Sequence, residues 1–570
     1  MVAPSTRTVS EARRVSTKGK LYPKSDQPGQ QHRHWGIDLS QEDPDDYIHN
    51  PEYKDSDRHS IFSRGSSLYF SAGYPILSYV RGGPEIPRLG VNATGQIPEF
   101  PGNWGLVDKD TPQSAYRYTS PHDGTELHLV FSDEFNRDGR TFYPGDDPYW
   151  QAVDLHYYDP EAITTVDGSL KITLSEKKTH GLDYEGGMLQ SWNKFCFTGG
   201  LVVANVMLPG RSDIAGLWPM GMQAVWSMGN LGRAGYGATN DGMWPYTYDA
   251  CDVGTLPNQT LRGEPYWATV DGDGAAGGAL SYAPGQRLSR CTCRGEDHPG
   301  PKHSDGTYVG RSAPEIDMIE AQVSSAFAQQ GGRLVGEVSQ SLQSAPFNYA
   351  YSPLYDDTNM IINDPNMTIV NSYKGGARQQ ALSCLSITNI AILPYPEFCL
   401  QDQACYFDMP DPCFSVYGFE YKPGYDEGYI TWLTDDKQVC TIKGSALAAD
   451  TRVEISARPV PQEPMYLIMN LGMSHGFGDV DLANLKFPTS MLVDYIRVYQ
   501  PPDAINIGCD PKGFPTTDYI QRSALRFFSG VQSVLKKLWR HLEAYENPNL
   551  TTWTDQYGQP FPKNRLIDEC

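Results

Sequence analysis

The chain has little basic charge and no long apolar run. Across its 570 residues, 46 lysines and arginines face 68 aspartates and glutamates, a net charge of −22. That sign repels a phosphate backbone, so we exclude nucleic acid as a partner. No stretch approaches the ~20 apolar residues that a membrane-spanning helix needs. The 11 cysteines are too few to define a fold by disulfides alone, whereas 39% hydrophobic residues suffice for a core.

Glycine (55), proline (43) and tyrosine (35) are abundant instead. This composition favours short strands joined by turns over a helix bundle. From about Leu127 the chain alternates β-branched and aromatic runs with turn residues, as in LHLVFSDEF, SLKITLSE, FTGGLVVANVMLP, EGYITWLT and MLVDYIRVYQ. Such spacing predicts an all-β fold, an antiparallel jelly-roll β-sandwich. Residues 229–312 and 343–415 lack a regular pattern and are predicted to be loop insertions.

Four segments differ in composition. Residues 1–66 are polar, without hydrophobic periodicity, and are predicted to be a disordered tail. Residues 67–120 are a lead-in segment, residues 121–505 are the sandwich with its insertions, and residues 506–570 are a C-terminal extension packed by its cysteines. Within that extension, residues 524–542 place apolar side chains on one helical face. This predicts a docking helix, with a membrane-surface helix as the alternative.

Glycosylation motifs and cysteines indicate a secretory compartment. The pattern N-x-S/T occurs at Asn92, Asn258, Asn366 and Asn549. Together with clustered cysteines, these motifs favour oxidising surroundings and disulfide bonds. The odd number of cysteines leaves at least one thiol unpaired, and we expect it to be Cys196, which stands alone in the sequence.

A pair of closely spaced cysteines also allows a metal site. Cys291 and Cys293, with His298 and His303, offer four possible zinc ligands, but their spacing is not that of a common finger, and disulfides are favoured. No other pattern requires a cofactor, so we expect neither a metal nor a cofactor.

The segment APEIDMIEAQV interleaves acidic and apolar residues. On a helix its three acids would scatter around the axis. On a strand Glu315 and Asp317 share a face, whereas a regular strand would turn Glu320 away. One β-bulge at Met318–Ile319 would return Glu320 to that face and leave Ile316 buried behind it. We therefore predict a bulged strand that carries three carboxylates on one side.

Carboxylates so arranged repel one another, which raises the pKa of at least one of them. One ionised and one protonated carboxyl are what glycosidic-bond chemistry requires, and a separation of about 5–5.5 Å gives retention through a covalent glycosyl-enzyme. The alternative is an exposed edge strand protected by charge.

The segment EIDMIE resembles the catalytic strand of glycoside hydrolase family 16, the jelly-roll laminarinase and transglycosylase group. LVFSDEFN, TGGLVVANVMLPG, GLWP and DYIRVYQ resemble that family in the same order. SMGNLGRAGYGATNDGMWPYTYDACDVGTLPNQT, LSRCTCRGEDHPGP and the tail GCDPKGFPTTDYI…NPNLTTW…PKN are similar to the fungal Kre6/Skn1 proteins, which are associated with β-1,6-glucan synthesis. The resemblance covers about residues 70–570 and implies a concanavalin-like jelly roll.

The resemblance also implies roles for the three acids. Glu315 would be the nucleophile, Glu320 the general acid/base, and Asp317 would hydrogen-bond the nucleophile and tune its protonation. Sugar rings stack on aromatic side chains, and the candidates for this contact are Trp192, Trp218, Trp226, Tyr236 and Trp244.

The implied activity is that of a retaining β-glucan glycosidase or transglycosylase in fungal wall assembly, with a β-glucan polysaccharide or oligosaccharide as partner. The alternative is a non-catalytic glycan-binding or chaperone-like assembly factor on the same fold. The acid triad argues against it, because a pure binder has little reason to bury three carboxylates together.

Three departures from the family pattern bear on location and on the cleft. The Kre6-like proteins are single-pass type II membrane proteins, but the expected anchor helix between SIFSRG and AGYPILSYV is missing. The family still implies the secretory route, from the ER and Golgi lumen to the cell surface, and membrane association through its N-terminal region. About four extra residues lie between Pro219 and Ala224, near Trp218 and Trp226, and residues 522–540 interrupt the tail.

Overall fold

The computed structural model describes residues 105–209, 223–324, 335–353, 358–388, 414–473, 482, 487–521 and 540–570. Several predictions concern residues outside these ranges: the disordered tail, most of the lead-in segment, most of the amphipathic stretch 524–542, Asn92 and Trp218. Three of the cysteines, Cys399, Cys405 and Cys413, also lie outside them.

Two antiparallel sheets contain the strands of the described residues. The ten-stranded sheet holds β1 (Arg117–Thr119), β2 (Glu126–Asp133), β4 (Ile163–Val166), β5 (Ser169–Leu174), β7 (Gly200–Met207), β11 (Met360–Ile362), β15 (Ser415–Lys422), β16 (Tyr429–Thr434), β17 (Lys437–Lys443) and β19 (Thr489–Gln500). Its order is β1-β2-β19-β7-β15-β16-β17-β11, with β5 paired to β19 and β4 paired to β5.

The nine-stranded sheet holds β3 (Gln151–Ala152), β6 (Gly187–Gln190), β8 (Gln223–Gly229), β9 (Glu315–Ser324), β10 (Val335–Ser344), β12 (Thr368–Val370), β13 (Gly375–Gly376), β14 (Gln379–Ile387) and β18 (Met465–Leu471). Its order is β12-β14-β10-β9-β8-β18-β6-β3, with β13 paired to β14. The acidic segment is therefore a central strand, which excludes the edge-strand interpretation. The predicted all-β jelly-roll sandwich is confirmed.

Successive side chains along each strand of the nine-stranded sheet point to opposite faces, and both faces carry apolar side chains. On β8, Val225 packs into the main core between the sheets, whereas Trp226 and Met228 belong to a second cluster on the opposite face. On β18, Leu467 faces the main core and Ile468 the second cluster. This second face is buried because the segment 229–312 and the C-terminal extension pack over it.

The two predicted insertions differ. Residues 229–312 contain turns, 3-10 turns and one short helix, α1 (Gly237–Asn240), as predicted. The prediction for residues 343–415 was wrong in part, because β11 to β14 lie within them. On β14 the polar side chains of Ser383 and Ser386 are as buried as its apolar ones, so its sequence did not show the expected alternation of apolar and polar residues.

The C-terminal extension contains α2 (Thr517–Gln521) and α3 (Arg540–Glu546). The buried guanidinium of Arg311 connects it to the insertion: Arg311 Nη1 donates to the carbonyl of Pro515 at 2.7 Å, and Nη2 pairs with Glu463 Oε2 at 2.7 Å. Tyr545 on α3 donates its hydroxyl to the carbonyl of Leu231 at 2.6 Å. The extension is thus packed against the insertion through buried polar contacts.

Four disulfides lie among the described residues: Cys196–Cys509, Cys251–Cys291, Cys293–Cys570 and Cys384–Cys440. The prediction that Cys196 is the free thiol was wrong. Its partner lies 313 positions away and is brought next to it only by the folded chain. Cys384 on β14 and Cys440 on β17 join the two sheets. The preference for disulfides over zinc at Cys291 and Cys293 is confirmed.

Three glycosylation motifs fall within the described residues, and Asn258, Asn366 and Asn549 are all exposed. Glycosylation at these sites stays a prediction. Within the described ranges, no helix combines the length and apolar character needed to cross a membrane.

Candidate active site

The bulge on β9 is the feature that gathers the acidic side chains. Against β8, Ile319 pairs with Val225 and Asp317 with Trp226, so that Met318 has no partner of its own. Against β10, the register shifts over the same two residues of β9. The predicted bulge at Met318–Ile319 is confirmed.

The apolar and acidic residues around the bulge lie on opposite faces of the sheet, as predicted. Ile316, Met318 and Ile319 are fully buried in the core between the sheets. Glu315 and Glu320 lie in register with Met228 and Ala224 of β8, which belong to the apolar cluster on the opposite face. The bulge therefore places all three acids on the face that the insertion and the extension cover.

Hydrogen bonds connect the three acids. Ser341 on β10 donates its hydroxyl to Asp317 Oδ2 at 2.6 Å, and its Oγ lies 3.4 Å from Glu320 Oε2. Gln343 Nε2 lies 3.2 Å from the same Asp317 oxygen. Glu315 shares a side-chain hydrogen bond with Asp317 and accepts the indole N–H of Trp244 at 2.7 Å. The network therefore runs from Glu315 through Asp317 and Ser341 to Glu320.

Burial and mutual repulsion shift the protonation of these acids. Their exposed fractions are 1% for Glu315, 2% for Asp317 and 7% for Glu320. Loss of hydration and the neighbouring carboxylates raise the pKa of Glu315 and of Glu320 well above the ordinary value. Burial raises the pKa of Asp317 to about 6, held down by the hydrogen bonds from Ser341 and Gln343.

These pKa shifts indicate the order in which the three carboxyls lose their protons. Asp317, whose pKa is raised to about 6, loses its proton before Glu315, and Glu315 donates the hydrogen bond between them. The indole N–H of Trp244 stabilises the ionised form of Glu315. The first negative charge of the set is therefore shared by two adjacent carboxyls, Asp317 and Glu315.

The aromatic candidates divide into two pairs. Trp226 and Trp244 lie beside the carboxylates: Trp226 is the register partner of Asp317 and donates its N–H to Asn470 Oδ1 at 2.8 Å. Both indoles are nearly fully buried, at 2% and 3% exposure. Their N–H groups are satisfied inside the protein.

The other pair, Trp192 and Tyr236, flanks Arg233. The Cζ atom of Arg233 lies 4.5 Å from the ring centroid of Trp192 and 4.0 Å from that of Tyr236. Trp192 also stacks on Tyr545 of α3, with ring centroids 5.4 Å apart. Trp218 lies outside the described residues.

Sequence reasoning missed several residues of this site. Ser341 and Gln343 lie in VGEVSQSLQS, where alternating polar residues suggest an exposed strand face. Asn470 and Trp432 were not singled out either. Trp432, on β16 of the opposite sheet, donates its indole N–H to the backbone carbonyl of Asp317 at 2.8 Å. The available signal was the Ser-x-Ser-x-Gln alternation, which places polar side chains on one face of a strand.

The described residues contain one group suited to a metal ion, formed by Asp154, Asp159 and His180. His180 Nε2 lies 2.9 Å from Asp154 Oδ1, and both side chains are exposed. The group shares no residue with the carboxylate set, and an exposed acidic cluster alone does not indicate a metal site.

Comparison with known proteins identifies the chain's relatives. SKN1 of Candida albicans, named as a β-glucan synthesis-associated protein, is 38% identical over 577 residues, covering 93% of this chain and 67% of its own length. KRE6 of Saccharomyces cerevisiae, described in the same way, is 42% identical over 473 residues, covering 82% of this chain and 56% of its own length. The chain thus spans about half to two thirds of these relatives.

Similar solved structures include an endo-1,3-β-glucanase (laminarinase) catalytic domain from Thermotoga petrophila, at 16% identity, with a TM-score of 0.33, covering 66% of this chain and 98% of that one. An endo-β-1,3-glucanase from Pyrococcus furiosus matches at 17% identity, with a TM-score of 0.32, covering 66% and 96%. The family model described as β-glucan synthesis-associated protein SKN1/KRE6/Sbg1 matches residues 59–570. The chain belongs to the SKN1/KRE6/Sbg1 family of β-glucan synthesis-associated proteins.

Proposed function

We propose that this protein is a retaining β-glucan glycosidase or transglycosylase that acts in fungal cell wall β-1,6-glucan biosynthesis. The observation that carries the proposal is the bulged strand, which gathers Glu315, Asp317 and Glu320 on one face with a hydrogen-bond network between them. Membership in a family named for β-glucan synthesis supports the choice of substrate class.

The proposed reaction has two steps. The ionised carboxylate of Glu315 attacks the anomeric carbon while protonated Glu320 donates its proton to the leaving glycosidic oxygen, which breaks the bond and leaves a glycosyl ester on Glu315. Glu320, now ionised, then removes a proton from the incoming acceptor, which displaces Glu315. Water as acceptor gives hydrolysis, and a sugar hydroxyl gives transfer.

Asp317 accepts the proton that Glu315 must lose to become the ionised nucleophile. In the resting protein Glu315 donates its proton to Asp317, so transfer of that proton within the existing hydrogen bond leaves Glu315 charged. The Trp244 indole N–H, 2.7 Å from Glu315 Oε2, stabilises the charged form. Glu320 has the largest exposed fraction of the three acids, which suits a group that meets leaving groups and acceptors.

The aromatic candidates would contact different parts of the bound glucan. Trp226 and Trp244 adjoin the acids and would border the sugar bound at the cleavage point. Trp218, outside the described residues, stays a predicted sugar contact. Trp192 and Tyr236 surround Arg233 and would contact other sugar units of the chain.

Trapping of the covalent intermediate tests the proposal. Intact-mass measurement after incubation with an activated 2-fluoro-glucoside should show one added glycosyl group, located on Glu315 by peptide mapping. Glu315→Gln should abolish the adduct, and Glu320→Gln should slow its formation from substrates with poor leaving groups. Undiminished cleavage or transfer of β-glucan oligosaccharides by Glu315→Gln defeats the proposal.

A second candidate function is a non-catalytic glycan-binding or chaperone-like assembly factor. The observation that favours it is restricted access: a substrate would have to reach carboxyls that are at most 7% exposed, beside indoles of Trp226 and Trp244 that are enclosed. Glucan binding without any trapped adduct in the same experiment supports this function over catalysis.

For location, we propose the secretory pathway. Four disulfides among the described residues suit an oxidising compartment, and the asparagines of three N-x-S/T motifs are exposed, as glycosylation would require. Digestion with an N-glycosidase should reduce the mass of the protein isolated from its own cells; an unchanged mass argues against this location.

A further inference from the structure

The segment 229–312 contributes two exposed aromatic rings to a patch on the surface. Tyr266 is 58% exposed and Trp267 is 44% exposed, whereas most aromatic side chains of the described residues are buried. Their rings meet edge to face with centroids 5.5 Å apart, and Trp267 meets Tyr349 in the same way at 5.6 Å. We call Tyr266, Trp267 and Tyr349 the aromatic patch.

The backbone under the aromatic patch is firmly held. Tyr266–Ala268 is a 3-10 turn, and Ala268 is buried in an apolar cluster with Leu280. The amide of Leu280 donates to the carbonyl of Ala268 at 2.9 Å. Glu264 Oε2 accepts the amide of Tyr266 at 2.9 Å. The exposed rings therefore stand on a fixed frame, so little conformational entropy is lost when they bind a partner.

Polar groups of both signs border the patch. The Tyr349 hydroxyl donates to Asp271 Oδ2 at 3.1 Å, and the Arg452 guanidinium lies 4.9 Å from the centre of the Tyr349 ring. Asp450 accepts the amides of Tyr349 and Arg452 at 2.8 and 2.9 Å. The border thus offers hydrogen-bond acceptors and donors beside apolar ring faces.

This combination matches a neutral sugar polymer. Pyranose C–H faces pack on aromatic rings, and the hydroxyls around the ring edge need both acceptors and donors. A polyanion is excluded by the acidic groups at the border and by the net charge of −22. We propose that the aromatic patch is an accessory binding site for a β-glucan chain, a choice of ligand that rests on the proposed function.

The chain connects the patch to the end of β10 that pairs with Glu315. Glu315 pairs with Gln343, and β10 ends at Ser344. Tyr349 follows so closely that it lies within about 17 Å of Ser344 even if the chain between them is fully extended. A long glucan bound at the carboxylates could therefore extend to the patch, which shares no residue with the carboxylate network.

The test compares long and short ligands on the full chain. Trp267→Ala should weaken binding of a soluble β-glucan polymer, measured by affinity electrophoresis, about tenfold. It should leave the binding of laminaribiose and the trapping of a 2-fluoro-glucoside unchanged. Tyr143→Ala removes a comparably exposed ring (41%) elsewhere and should leave polymer binding unchanged. If thermal unfolding shows that Trp267→Ala is not folded, Tyr266→Ala serves as the second variant.

The outcomes separate this inference from the catalytic proposal. If Glu315→Gln keeps its activity while Trp267→Ala loses polymer binding, the catalytic proposal fails and the accessory site stands. Polymer binding unaffected by both patch variants overturns the accessory site. A change in sedimentation behaviour of Trp267→Ala without loss of polymer binding identifies the patch as a contact between protein molecules and also overturns it.

Discussion

Trp432 and Asp317 meet across the sandwich: the indole N–H from the ten-stranded sheet donates to the backbone carbonyl at the bulge of the nine-stranded sheet, at 2.8 Å. A bulge leaves ladder groups without strand partners, and an unpaired buried carbonyl is costly. A fully buried core residue therefore satisfies the backbone that positions the central acid.

Replacing Trp432 should lower turnover more than replacing another buried tryptophan that does not contact the bulge. Trp432→Phe removes the indole donor from the Asp317 carbonyl and should lower the free energy of unfolding by about 2–4 kcal/mol. Turnover should fall as well, because the bulge loses its support. Urea denaturation and glucan turnover are the measurements.

The matched control is Trp150→Phe, which removes another fully buried indole whose N–H contacts Asp133. It should be destabilised to a similar extent and keep its turnover. Full turnover in Trp432→Phe would show that the bulge is independent of this contact.

Ser341→Ala should shift the pH dependence of the reaction. The hydroxyl lowers the pKa of Asp317, so its removal raises that pKa and moves the acidic limb of the rate profile to higher pH. Loss of a hydrogen bond to a charged group should also lower kcat about tenfold. Ser339→Ala, on the same strand opposite Glu320, is the comparison and should keep the wild-type profile. An unshifted acidic limb in Ser341→Ala contradicts the assigned contact.

Asp317 should make the fold less stable as the pH rises. Folding raises its pKa from 3.8 to about 6, so its contribution is fully present below about pH 4 and is lost as the pH rises through about 6. Asp317→Asn should remove this loss, and the stability difference between wild type and variant should change over that window.

The comparison variant is Asp305→Asn, because the pKa of this exposed acid is lowered to about 2 and it does not titrate in that window. Its stability difference from wild type should stay flat there. A flat difference for Asp317→Asn as well would mean that Asp317 is not buried as described.

Cys509→Ser should loosen the C-terminal extension. The disulfide to Cys196 closes a loop of 313 positions, and its loss should cost about 2–5 kcal/mol of stability. Thermal unfolding under non-reducing conditions is the measurement. Alkylation of Cys196 in the unreduced wild-type protein would contradict the pairing.

The sequence predicted the acidic strand well because its pattern is local. Met318 and Ile319 are adjacent apolar residues that interrupt strict alternation, and only a bulge reconciles them with three acids on one face. The sandwich followed from the turn-rich composition for the same reason: both features depend on neighbours within a few positions.

Other features could not be predicted, because they depend on contacts between distant parts of the chain. Ser341 and Gln343 are buried polar residues whose partners lie on β9, and a single strand does not reveal which of its faces is covered. The pairing of Cys196 and the stacking of Tyr545 on Trp192 join the extension to the sandwich across some three hundred positions.

That stacking has a consequence for protein engineering. A shortened version that stopped after β19 would strip Tyr545 from Trp192, remove the acceptor that Arg233 finds in the Tyr545 carbonyl, and leave Cys196 single. A fragment that ended with its two sheets would therefore expose an aggregation-prone apolar surface and a free thiol at Cys196. Expression for crystallography or enzymology should retain the tail through Cys570.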